Sequence, residues 1–169
     1  MKFLTFILLS IIWAPLLAQH NLLSVGIWSE KVQDALGMVK QYEPHIFSTI
    51  VTKSTIQAGD LEQAGLAAFC SIEEAPTEKL NWIIIGMNEL NKSSCREIAS
   101  IIVHESLHLQ FRMLNTQMGN WGTLTKLEKF NEHKQIYNYE LAFLKKSNGT
   151  KDEILSHKNL MRQYGIPIF

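Results

Sequence analysis

No proline or glycine falls between Cys95 and Gln117, and His104-Glu105-Ser106-Leu107-His108 stands inside that stretch. Ile98, Ile101, Ile102, Leu107, Leu109 and Phe111 surround the run with apolar side chains. The segment reads as a largely buried helix. Ser94-Cys95-Arg96-Glu97 has the S-x-x-E form of a capping box, which places the N-cap at Ser94. The helix is predicted to run to about Leu114, and Met118-Gly119-Asn120-Trp121-Gly122 is loop chemistry. A His-Glu-His set on such a helix is costly unless it is hydrogen-bonded or coordinated.

Residues four apart lie one above the other on a helix face, so both imidazoles can reach one ion. Glu105 follows the first histidine directly, and its carboxylate can reach a water on that ion. Zinc takes neutral imidazole ligands, keeps a coordination place open in catalytic sites, and needs a base beside its water. The H-e-x-x-H pattern at 104–108 therefore points to Zn2+, held by His104 and His108 with Glu105 as catalytic base.

The chain begins MKFLTFILLSIIWAPLLAQH, and Lys2 is its only Lys, Arg, Asp or Glu before Glu30. The apolar run from Phe3 to Ala18 reads as a secretory signal peptide over 1–18. An uncleaved anchor is the alternative, but the run is short for a full span. Residues 19–169 then form one domain of roughly 150 residues, enough for a sizeable core, in a secreted or periplasmic protein with no stable membrane span. Lys plus Arg and Asp plus Glu both number 16. With no basic stripe, nucleic acid is not an expected partner. Cys70 and Cys95 are the only cysteines; in an exported chain they could form a disulfide or stay as buried thiols.

Helical spacing of Val32, Ala35, Leu36 and Val39 predicts a helix over Ser29–Tyr42, capped by Ser29 and ended by Pro44. His45–Thr52 and Leu66–Cys70 read as strands. Trp82–Met87 is the clearest strand, apolar on both faces, and is expected to offer an edge to an extended peptide. Asn88–Ser93 is a polar connection. Lys126–Lys146 is a second long helix, and Thr150–Tyr164 a terminal one. The fold class is α+β: a small sheet of about three strands packed on the histidine helix and a second long helix.

A catalytic zinc needs a third protein ligand. Of six histidines, His20 adjoins the cleavage site, His45 opens a strand and His157 lies in the tail. His133 falls at the centre of the inward face of the second long helix and is the leading candidate. Glu132 lies toward the edge of that face and is the next. Glu140 shares the His133 face two turns on, which suits a role orienting an imidazole. Tyr137, Tyr139 and His157 are candidates to donate to a developing oxyanion.

Ile102-Val103-His104-Glu105-Ser106-Leu107-His108, with His133 and Tyr137 on the next helix, resembles the zincin metallopeptidases, most closely small exported SprT-like zincins. The resemblance covers about Trp82 to Leu144. The metzincin extension is absent, since Phe111 and Leu114 stand where it has Gly and His. Asn131-Glu132 only faintly matches the gluzincin N-E, with Gln135 and Ile136 in place of its Ser and Asp. The resemblance implies a zinc metallopeptidase, a hydrolase with a peptide or protein substrate. The alternative is a non-catalytic, zinc-stabilised binding protein on the same fold.

Overall fold

The computed structural model describes residues 22–23, 27–64, 66–74, 79–114 and 124–168. The expected signal peptide and the Met118–Gly122 loop lie outside the described residues. The architecture is α+β. Strands β1 (Leu22–Leu23), β2 (Ser54–Gly59), β3 (Ala68–Glu74) and β4 (Lys79–Gly86) form one mixed sheet in the order β1-β2-β4-β3. β1, β2 and β4 run parallel to one another, and β3 is antiparallel to β4.

The helices are α1 (Ile27–Tyr42), α2 (Pro44–Thr49), α3 (Met87–Lys92), α4 (Cys95–Leu114), α5 (Lys126–Lys146) and α6 (Lys151–Gln163). α4 is the hub. It packs on β3 and β4, on α1 and α2, and on α5, which in turn carries α6. Ile83 and Ile85 on the sheet face Val32, Ala35, Leu36 and Val39 of α1 and Ile98, Ile102 and Val103 of α4 in one buried cluster. Each fully buried Ile or Leu contributes about 1.5–3 kcal/mol relative to exposure. This cluster fixes α4, and with it both motif histidines. No helix among the described residues is long and apolar enough to cross a membrane.

Several expectations are corrected. His45–Thr52 is not a strand: α2 is followed by a 3-10 turn at Val51–Lys53. Pro44 opens α2 at its first turn, where its fixed φ suits a helix, and Ile46 and Ile50, four apart, are both buried. β-branched propensity yielded to helical burial. β2, which sequence pattern did not reveal, comes just after. β3 starts two residues later than expected and runs on to Glu74. Met87–Lys92 is helix α3 rather than connection, locked by Lys31, whose Nζ donates to the carbonyls of Leu90 (2.8 Å) and Ser93 (2.9 Å). α1 starts at Ile27, so Ser29 lies inside it instead of capping it. β4 is not an edge: it pairs with β2 and β3, as suits a strand apolar on both faces. β3 has a pairing partner on one side only among the described residues. Cys70 and Cys95 are both thiols.

The capping box at Ser94 is formed: its N–H donates to Glu97 Oε2 (2.7 Å), and Glu97 N–H donates to Ser94 Oγ (3.1 Å). Thr125 and Thr150 cap α5 and α6 in the same way. Glu153 then joins the starts of α4 and α6, accepting from Ser94 Oγ (2.7 Å), Arg96 Nη1 (2.8 Å) and the Thr150 N–H (2.7 Å). Burial resists its ionisation, but these donors outweigh it and hold the carboxyl down to about 2. A depressed carboxyl stabilises the fold above its unfolded value and loses that contribution as pH falls through the folded one. Stability should therefore decline between pH 4.5 and about 2. Glu153→Gln should cost about 2 kcal/mol at pH 7 and flatten the decline in that window. Calorimetric melting of both forms from pH 6 to 2 checks this, and parallel curves would reject it.

Candidate metal centre

His104 and His108 stand one turn apart on α4, on the side covered by α5. Their Nε2 atoms are 3.1 Å apart. From α5, His133 brings its ring to 6.0 Å from His104 and 5.1 Å from His108, centroid to centroid. One ligand atom from each of the three imidazoles lies within 4.8 Å of the others. His104, His108 and His133 thus form a cluster that could bind a metal ion. Among the described residues the group has three members. His45 is not among them: it lies in α2, where its carbonyl accepts from Ser48 and Thr49.

Every ring is oriented through its other nitrogen. His104 Nδ1 lies 2.7 Å from Glu140 Oε2, His108 Nδ1 2.5 Å from Glu132 Oε1, and His133 Nδ1 3.1 Å from the Lys129 carbonyl oxygen. Carboxylates and carbonyls only accept, so each Nδ1 carries a hydrogen and donates it. This leaves Nε2 of each ring for the cluster. Metal-ligating histidines characteristically use their second nitrogen in this way.

The electrostatics agree with that geometry. In neutral rings, Nε2 of His104 and His108 would face each other as lone pairs 3.1 Å apart, which repel unless positive charge lies between them. A proton between them supplies that charge, and so would a metal ion. Burial opposes a charge on His104, but the Glu140 carboxylate outweighs burial and raises its pKa, with Glu105 and Glu132 helping. Burial pushes His108 down to about 4, with the His104 charge adding to it and the Glu132 bond only partly opposing. Burial and His104 also lower His133. His104 Nε2–H can then donate to His108 Nε2. A divalent cation can take that proton's place and meet all three nitrogens at once. The donor set fits such an ion, with Glu105, Glu132 and Glu140 nearby to balance its charge.

Glu140 is buried, yet its carboxyl is held below the ordinary range. Burial pushes it up, but the charge and hydrogen bond of His104 prevail. Ser100 Oγ donates to its other oxygen at 2.9 Å. Glu105 is also buried, on the same turn as the histidines, and its charge is felt at His104 and at the Tyr137 hydroxyl.

Helical phase correctly places His133 and Glu140 toward α4. Glu132 is corrected: it does not stand aside but holds His108. Neighbours on a helix diverge by about 100°, and Glu132 and His133 accommodate this by meeting different atoms. Two oxyanion candidates are engaged elsewhere. The Tyr139 hydroxyl donates to Glu43 Oε2 (2.5 Å), and His157 Nε2 lies 2.8 Å from the Tyr137 carbonyl. Tyr137 is at the cluster, its ring 5.1 Å from His104 and stacked 5.8 Å from His133. Sequence reasoning missed Tyr164, whose ring centroid lies 5.7 Å from His133. No family model matches the chain, and comparison with curated proteins and with solved structures finds no match.

Proposed function

We propose that this chain is a zinc-dependent peptidase that works outside the cytoplasm. The observation that supports this reading best is the oriented triad: one ring nitrogen from each of three imidazoles converges, and each Nδ1 has an acceptor beside it. Three nitrogen ligands suit zinc and leave its fourth tetrahedral place for substrate chemistry. When bound, zinc supplies Lewis-acid polarisation of a carbonyl and lowers the pKa of water.

The protein's own groups do the rest. His104, His108 and His133 hold the ion, and Glu140 and Glu132 fix two of the rings. Glu105 takes a proton from water as the water oxygen bonds to the scissile carbonyl carbon. It then delivers that proton to the amide nitrogen as the C–N bond breaks, giving a carboxylate and an amine. An extended peptide can add to the sheet at β3, since β4 is paired on both sides.

A zinc-stabilised binding protein is the rival. A structural zinc is closed by four protein ligands, whereas the group among the described residues has three, which favours the peptidase. The test is elemental analysis of purified protein with an assay on an unfolded protein substrate. About one zinc per chain and chelator-sensitive hydrolysis are expected, both lost in a His104→Ala, His108→Ala double variant. Unchanged metal content in the double variant would remove the site.

A further inference from the structure

The chain's last turn is built to hold one side chain over the cluster. α6 ends at Gln163 with Tyr164 as its C-cap. Gly165 follows with φ +70°, the left-handed conformation that glycine adopts without a Cβ penalty. The Gly165 N–H donates to the Arg162 carbonyl and the Ile166 N–H to the Met161 carbonyl, each at 2.9 Å. This pair of bonds is a Schellman motif. Ile166 is buried with Met161, Tyr137 and Leu141 in a second apolar cluster. The cap and the buried Ile166 anchor the tail, and they set where Tyr164 stands.

That position is at the metal centre. The Tyr164 ring lies 5.7 Å from His133 and 5.2 Å from Tyr137, tilted against both. The Tyr137 ring backs Tyr164 on the side away from solvent. A tyrosine hydroxyl can donate its hydrogen to an acceptor that comes within reach. Tyr137 is buried, whereas Tyr164 is 49% exposed. An exposed phenol fixed beside His133 is equipped to meet an oxygen of a bound ligand.

We infer that Tyr164, held by Tyr137 and the Gly165–Ile166 cap, is a catalytic residue that donates a hydrogen bond to the scissile carbonyl oxygen of a peptide as negative charge develops there. This rests on the peptidase reading. No covalent bond to Tyr164 forms, and its proton stays on its own oxygen. Gly165 and Ile166 are positioning residues.

The experiment compares zinc-loaded wild type, Tyr164→Phe and Glu105→Gln, using hydrolysis of an internally quenched peptide and calorimetric binding of a dipeptide phosphonate, whose tetrahedral oxygens imitate the charged carbonyl. Tyr164→Phe keeps the ring and loses only the hydroxyl. It should retain zinc and KM, lower kcat roughly 100-fold, and weaken phosphonate binding by a similar factor. Gly165→Val, which strains the cap, should lower kcat in the same direction with zinc retained. Equal kcat and equal phosphonate affinity in Tyr164→Phe and wild type would overturn the role of Tyr164 while the peptidase reading stands on Glu105→Gln. If wild type hydrolyses nothing, the peptidase reading fails. The phosphonate arm then still decides: absent or equal binding in both forms overturns the inference, and weakened binding in Tyr164→Phe supports a ligand-contacting Tyr164.

Discussion

Glu105→Gln is expected to keep stoichiometric zinc and to lower kcat by roughly 10²–10⁴-fold. The substitution preserves shape and removes the group that accepts and returns a proton. The three imidazole Nδ1 atoms meet Glu140, Glu132 and the Lys129 carbonyl rather than Glu105. Metal affinity should therefore stay close to wild type. Folding should survive too, because Glu105 lies outside the network that joins Ser94, Arg96 and Glu153. The paired measurement is zinc content and kcat on one preparation. A protein that binds zinc only for stability would show the same function with Gln at this position, and that outcome would end the peptidase proposal.

What sequence made legible follows from what is local. α4 could be read because its capping box, its unbroken apolar surround and the four-residue histidine spacing are all encoded within 21 residues of one another. α5 and α6 also open on local signals, a Thr-x-x-Glu box each, that the sequence reading did not use. Helical phase alone brought His133 and Glu140 to the correct side of α5. The failures lie where the deciding contact is distant in sequence. Ile46, Phe47, Ile50 and Val51 fit a strand by residue type, and only burial in the α1–α4 core selects the helix. β2 has no alternation strong enough to announce it, because its inward face is Ser54, Ile56 and Ala58, with only one large apolar side chain. β4 looked like an edge because its run of isoleucines says nothing about which neighbours it takes. Phase on α5 alone puts Glu132 at the edge, because its partner, His108, sits on α4. Gly165 announces a helix end at Tyr164, but nothing local says that this end lies against His133.

His133→Ala is expected to abolish stoichiometric zinc binding, which would also remove hydrolysis. Two imidazoles from one helix turn hold an ion poorly, and the third crosses from α5 to close the set. The carboxylates behind the rings should matter less, and in a graded way. Glu140 accepts from His104 and from Ser100 in a buried site, so Glu140→Ala leaves two buried donors unpaired and should weaken zinc roughly 10–100-fold while also lowering Tm. Glu132→Ala releases only His108 and should cost affinity in the same range with less loss of Tm. The Gln variants separate charge from orientation: an amide oxygen can still accept from Nδ1, so Glu132→Gln and Glu140→Gln should each retain more zinc than the Ala variants. Competition against a chromophoric chelator ranks all five. Zinc lost in Glu132→Ala but kept in His133→Ala would make the third ligand a carboxylate, and His108 would then be oriented by some other acceptor.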